Sequence, residues 1–115
     1  MQFVAKTKCV WYSPYKLRPL ADVIRGKDAS YAMNWLALYK TKRSIPMRKT
    51  LASAIANALD IKGIAQSELF VKEVRVDQGP IRYYFKPGAM GRAMNQRSRQ
   101  CHITVIVAPK KNKEA

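Results

Sequence analysis

The chain has 115 residues and a formal net charge of +15, from 22 Lys and Arg against 7 Asp and Glu. That length allows one small domain, and 48% hydrophobic residues provide a core and argue against wholesale disorder. No apolar run approaches the ~20 residues of a membrane span, the alternating N-terminus lacks a signal peptide's apolar stretch, and Cys9 and Cys101 fall in no metal-ligand or disulfide-framework spacing.

The expectation is a soluble, cytosolic chain in which both cysteines are small buried hydrophobes. Residues 3–12 alternate, with Phe3, Ala5, Cys9 and Trp11 on one face and Lys6 and Lys8 on the other, the period of a half-buried strand. Ser13-Pro14 offers an N-cap and a proline at the first helical position. Leu17, Leu20, Ala21 and Ile24 follow at helical spacing until Gly26. Asp28 is placed to cap a second helix with Ala29, Ala32, Met33 and Leu36 as its stripe, and Tyr31, Trp35 and Tyr39 read as packing. A third helix is predicted from Ser44, with Pro46 in its first turn and Gly63 at its end. Its stripe is Met47, Leu51, Ala54, Ile55, Ala58 and Leu59.

Leu69 to Val76 and Ile103 to Val107 are rich in β-formers and read as two further strands. The stretch between them has no helical stripe, and a structureless loop of about 25 residues is rare in a compact domain. Facing Val76 with Ile103 and Val74 with Val105 puts the midpoint between Ala89 and Met90, bracketed by Gly88 and Gly91. The segment therefore reads as one long hairpin, at about 78–101, whose arms reach roughly 30 Å or more at ~3.3 Å per residue. The expected fold class is α+β: three helices packed on a small antiparallel three-stranded sheet, with a long projecting β-hairpin. Residues 1–109 form a single domain and 110–115 a basic polar tail.

Charge is segregated along the chain. No acid precedes Asp22, none lies between Asp28 and Asp60, and none lies between Asp77 and Glu114, while Lys and Arg recur in all three blocks. A solvated face would mix the signs. Three acid-free blocks point to a phosphate-binding surface. On the arm, Arg82 and Lys86 flank Tyr83, Tyr84 and Phe85, and aromatic faces among cations suit RNA with unstacked bases.

Two other functional classes fit these residues less well. A ribonuclease would need two positioned titratable groups, and the single histidine, His102, has only Glu73 as a conceivable partner; it reads better as a hydrogen-bonding or phosphate-facing group. No P-loop, dinucleotide glycine pattern or nucleophile elbow is present, so no catalytic residue, cofactor or metal is expected. A histone-like DNA-bending protein also carries basic β-arms, but such proteins open with helices and this chain opens with a strand.

Ser13-Pro14-x-Lys16-x-Arg18 followed by Ala21 to Lys27, then Ser53 to Ala58, Val76 to Pro80, Ala89 to Ala93 and His102 to Val107, together resemble the bacterial-type ribosomal protein L twenty-two family, in order across nearly the whole chain. The resemblance implies a domain bound to large-subunit ribosomal RNA early in assembly, beside neighbouring large-subunit proteins. It further implies a hairpin lining the nascent-peptide exit tunnel, in contact with the nascent polypeptide. The setting it implies is the cytoplasm, with an organelle-encoded ribosome as the alternative. The RNA-binding residues are then expected to be Lys6, Lys8, Lys16, Arg18, Arg25, Lys27, Lys42, Arg43, Arg82, Lys86, Arg92, Arg97, Arg99 and His102. The tunnel residues are expected to be Tyr83, Tyr84, Phe85, Pro87, Gly88, Ala89, Met90 and Gly91. Three departures stand out: Tyr83-Tyr84 where relatives usually carry basic residues, Gly88 in place of an arginine, and Pro46 where relatives run a continuous helix.

Overall fold

The computed structural model describes residues 2–39 and 41–110 of the chain. Strand β1 (Phe3–Val10) is followed by helices α1 (Pro14–Ile24), α2 (Ala29–Leu38) and α3 (Ser44–Lys62), a 3-10 turn at Gln66–Glu68, strand β2 (Leu69–Pro87), a second such turn at Ala89–Gly91, and strand β3 (Ala93–Pro109). The strands form one antiparallel sheet in the order β1-β3-β2. Beyond Lys110, the expected tail lies outside the described residues.

The helices cover one face of the sheet. Leu17 and Ile24 of α1, Leu36 of α2, and Met47 and Leu51 of α3 are buried with Phe3, Ala5, Val74, Val76, Ile103 and Val105. The local causes are those expected. The Ser13 hydroxyl accepts from the Tyr15 N–H at 3.3 Å, with Pro14 opening α1. Gly63 closes α3 at φ 66°, the left-handed conformation that glycine adopts without steric cost. Pro46 sits in the first turn of an uninterrupted α3, where its missing N–H has no helical partner to lose.

Val76 pairs with Ile103 and Val74 with Val105, and the ladder continues to Pro87 opposite Ala93. The two arms thus run far past the helices. The molecule's long axis is 71 Å and its radius of gyration 17.6 Å, against ~13 Å for a compact chain of about this size.

Several expectations need correction. Strand β1 stops at Val10 because the register slips between Thr7 and Val10, with Cys9 at φ 58°. This bulge turns Val10 inward and leaves Cys9 and Trp11 exposed, so only Cys101 is a buried thiol. Leu59 is 58% exposed, because it lies at the margin of a stripe centred on Leu51, Ala54 and Ala58. Asp28 occupies the N-cap position of α2 without a side-chain capping bond. Its backbone bridges to Phe70 and its carboxylate reaches Lys110 Nζ at 3.4 Å instead.

The hairpin turn centres on Met90, because the register slips between Gln78 and Ile81 and leaves one extra residue in β2. Gly88 is extended rather than left-handed; the left-handed positions are Met90 at φ 57° and Gly91 at φ 74°. What Gly88 supplies is room, since a Cβ there would lie 3.0 Å from the Arg92 carbonyl oxygen. Finally, Gln100 and Cys101 are buried, so the core extends to the base of the arm.

Candidate nucleic-acid interface

The cations divide into those turned to the protein's own backbone and those left free. On α1, Arg18 donates through Nε and Nη2 to the Val76 carbonyl at 3.3 Å, and Arg25 donates to the Val74 carbonyl at 2.7 Å. Both carbonyls lie on the outer edge of β2, which Gly26 and Lys27 also cover by exchanging backbone bonds with Val71. These contacts block an edge that would otherwise pair with another chain. Arg25 additionally bonds Asp22 at 2.7 Å. Lys27 stands over the ring of Tyr31, 5.8 Å from its centroid.

The remaining expected RNA ligands are less committed. Lys6 and Lys8 point outward from β1, Lys16 is exposed in the first turn of α1, and Lys42 and Arg43 precede α3. On the arm, residues directly opposite each other share a face. The pairs Tyr83–Arg97 and Ile81–Arg99 set two arginines on one face, while Arg82–Ser98, Tyr84–Gln96 and Lys86–Met94 form the other. Aromatic and cationic groups are therefore mixed on both faces of a two-stranded ribbon. Among the described residues, the ion pairs are Asp22–Arg25, Glu73–Arg75 and Asp28–Lys110, so no arm cation is neutralised.

The arm's apolar groups have no cover. Tyr83 is 66% exposed, Phe85 72% and Met90 100%. The tip is braced by its own backbone, with the Gly88 N–H donating to the Arg92 carbonyl and the Arg92 N–H to Ala89 at 3.3 Å. A two-stranded ribbon of this kind has no core of its own.

His102 lies at the arm's root, where its Nδ1 accepts the backbone N–H of Cys9 at 3.1 Å. With Nδ1 accepting, Nε2 is the ring's donor. Asp77 is its cross-strand neighbour, whereas Glu73 pairs with Ile106, four residues further along β3. At ~3.3 Å per residue this puts the two side chains roughly 13 Å apart, too far for joint acid–base work. The Arg75 guanidinium beside Glu73 bonds its carboxylate and holds it below the usual carboxylate range. Among the described residues, no three His, Cys, Asp or Glu side chains gather where a metal ion could be held.

One further residue belongs to this surface. Trp11, expected inside, is 57% exposed with the guanidinium carbon of Arg82 5.6 Å from its ring centroid. It joins the end of β1 to the root of the arm. No local pattern signals this, because the bulge that turns Trp11 outward depends on pairing with β3.

Residues 5–108 match the family described as Ribosomal protein L22p/L17e. The chain is similar to a large ribosomal subunit protein uL22 of Magnetococcus marinus, 46% identical over 91% of this chain and 93% of the relative. It is 42% identical to the protein of the same name in Methylacidiphilum infernorum, over 98% and 99% of the two chains. A uL22c protein of Chlorokybus atmophyticus is 40% identical over 90% of this chain and 87% of its own length. The match over residues 5–108 and the relatives along nearly its whole length place this α+β chain, with its projecting basic ribbon, in the ribosomal protein L22p/L17e family.

Proposed function

We propose that residues 1–109 act as one RNA-binding domain whose arm enters the RNA of the large ribosomal subunit and lines the nascent-peptide exit tunnel. The chain is a structural, non-enzymatic constituent of that subunit, with ribosomal RNA and neighbouring ribosomal proteins as its partners. The observation that carries the arm's role is its exposure: unpaired cations and uncovered aromatics alternate along a ribbon with no core. Phosphates offset the former and bases or tunnel-wall RNA cover the latter. Lys6, Lys8, Lys16, Lys27, Lys42, Arg43, Arg82, Lys86, Arg92, Arg97 and Arg99 contact RNA in this reading. Arg18, Arg25 and His102 do so with whatever donor capacity their internal bonds leave. The tip, Pro87 to Gly91, faces the nascent polypeptide.

In a lysate separated by sedimentation, the chain is expected to migrate with large subunits. A photo-crosslinker at Met90 is expected to capture nascent chains in translating ribosomes. Migration at the top of the gradient overturns the assignment to the subunit. Crosslinks from Met90 to RNA alone, with none to nascent chains, overturn the tunnel role and leave the RNA role standing.

A further inference from the structure

The inward-facing run of β3 changes character at the root of the arm. Val107, Val105, Ile103 and Cys101 are all buried against the helices, and the next two residues on that face are Arg99 and Arg97. There the sheet passes beyond the start of α1, and the gap between them is an open cleft of about 550 Å³. Its volume lies within the ~300–1,000 Å³ of small-ligand sites. Lys16 enters from α1, and Trp11 and Tyr12 form an aromatic wall.

Three cations meet here with no carboxylate among the lining residues, and none of the three takes part in an ion pair among the described residues. Bringing like charges together is unfavourable unless an anion offsets them. Arg82 stands over Trp11, 5.6 Å from its ring centroid, but does not line the cleft, so the ring presents a further surface to the cavity. A stacking platform next to three phosphate-binding cations matches the parts of a nucleotide on a single strand.

We propose that this cleft holds one unstacked nucleotide of the RNA, with its base against Trp11 and its flanking phosphates on Lys16, Arg97 and Arg99. The proposal rests on the RNA-binding reading above and adds a site to it.

The test uses the full chain carrying Trp35→Phe, which keeps a ring on Tyr39 and leaves Trp11 as the one indole of the two in the sequence. Transcribed large-subunit RNA is expected to quench Trp11 emission. Inorganic polyphosphate, which has the charge and no bases, is expected to bind and leave the emission unchanged. Trp11→Ala should lower RNA affinity about 5- to 150-fold, the contribution of one base stack, with the salt slope unchanged, while Trp11→Phe keeps most of the affinity. Lys16→Ala and Arg97→Ala should each reduce the salt slope by roughly one. Circular dichroism checks each fold, and if Trp11→Ala does not fold, the quenching and the Trp11→Phe affinity decide. RNA bound with unquenched Trp11 and a neutral Trp11→Ala overturns the cleft and leaves RNA binding intact. Failure of the unsubstituted chain to bind RNA overturns both.

Discussion

The backbone N–H of Cys9 donates to Nδ1 of His102 across the sheet, 3.1 Å away and 93 positions apart in the chain. This bond holds a non-glycine residue at φ 58°, a conformation that costs roughly 1–2 kcal/mol for an L-residue. The bulge it stabilises turns Trp11 out toward Arg82. Removing the acceptor by His102→Ala is expected to cost about 1 kcal/mol. Cys9→Gly relieves the strain and should leave stability level or raise it by up to about 1 kcal/mol. Urea unfolding of the two variants checks both signs, and a clear loss in Cys9→Gly would show that the bulge has another geometry.

The two thiols should differ sharply. Cys9 is exposed and Cys101 is buried, and burial pushes the Cys101 thiol above its usual range, with Arg18 opposing. Alkylation of the native protein should modify Cys9 first, and Cys101 only when denaturant is added. The folded state favours the neutral Cys101 thiol, so its contribution is complete below the unfolded thiol's pKa of about 8.5 and declines as pH rises beyond it. Comparing urea midpoints from neutral to alkaline pH with those of Cys101→Ala should show a shallower alkaline decline in the variant.

Stability and RNA binding should separate by residue. Leu51 is fully buried in α3, and Leu51→Ala is expected to cost about 2–5 kcal/mol through the cavity it opens. Arg92→Ala lies at the tip and should change stability by no more than about 0.5 kcal/mol while weakening RNA binding. Arg99→Ala, half-buried at the arm's root, should likewise weaken binding more than folding. For the intact chain, the logarithm of affinity should fall with that of salt at roughly −0.7 to −0.9 per neutralised phosphate, several units in total. A slope near zero would falsify the electrostatic account.

Gly79 is expected to be intolerant of substitution. A Cβ there would lie 3.2 Å from the Gln100 backbone and from His102 Cε1, at the place where β2 carries its extra residue. Gly79→Ala should destabilise by about 1–3 kcal/mol, because the neighbour is backbone and yields only by shifting the strand. Thermal melts against the unsubstituted chain measure it.

The arm should be dispensable for folding. Replacing residues 82–98 with a short glycine-containing turn leaves Gln100 and Cys101 in the core. Loop-closure entropy changes slowly with length, so stability should stay within about 1 kcal/mol. The shortened chain is expected to join large subunits through its domain face and to lose contact with nascent chains. Loss of folding on excision would mean that the ribbon belongs to the core.

Much of this molecule was determined locally. The caps at Ser13 and Gly63 and the α3 start before Pro46 follow from residue type and spacing, because helix ends depend on neighbours within a few positions, and the pairing of Val74 and Val76 with Val105 and Ile103 follows from the two β-rich runs and the glycines midway between them. The segregation of acids and the basic ribbon were equally legible, since charge order is a property of the sequence itself. Tertiary structure alone decided the rest. Whether Cys9 and Trp11 face in or out depends on one bulge held by a distant histidine. Whether Arg18 and Arg25 are free depends on which strand edge α1 packs beside. The cleft at the arm's root gathers Trp11 and Lys16 with Arg97 and Arg99 from the other end of the chain. Its members are separated by some eighty residues, and only the antiparallel return of β3 brings them together.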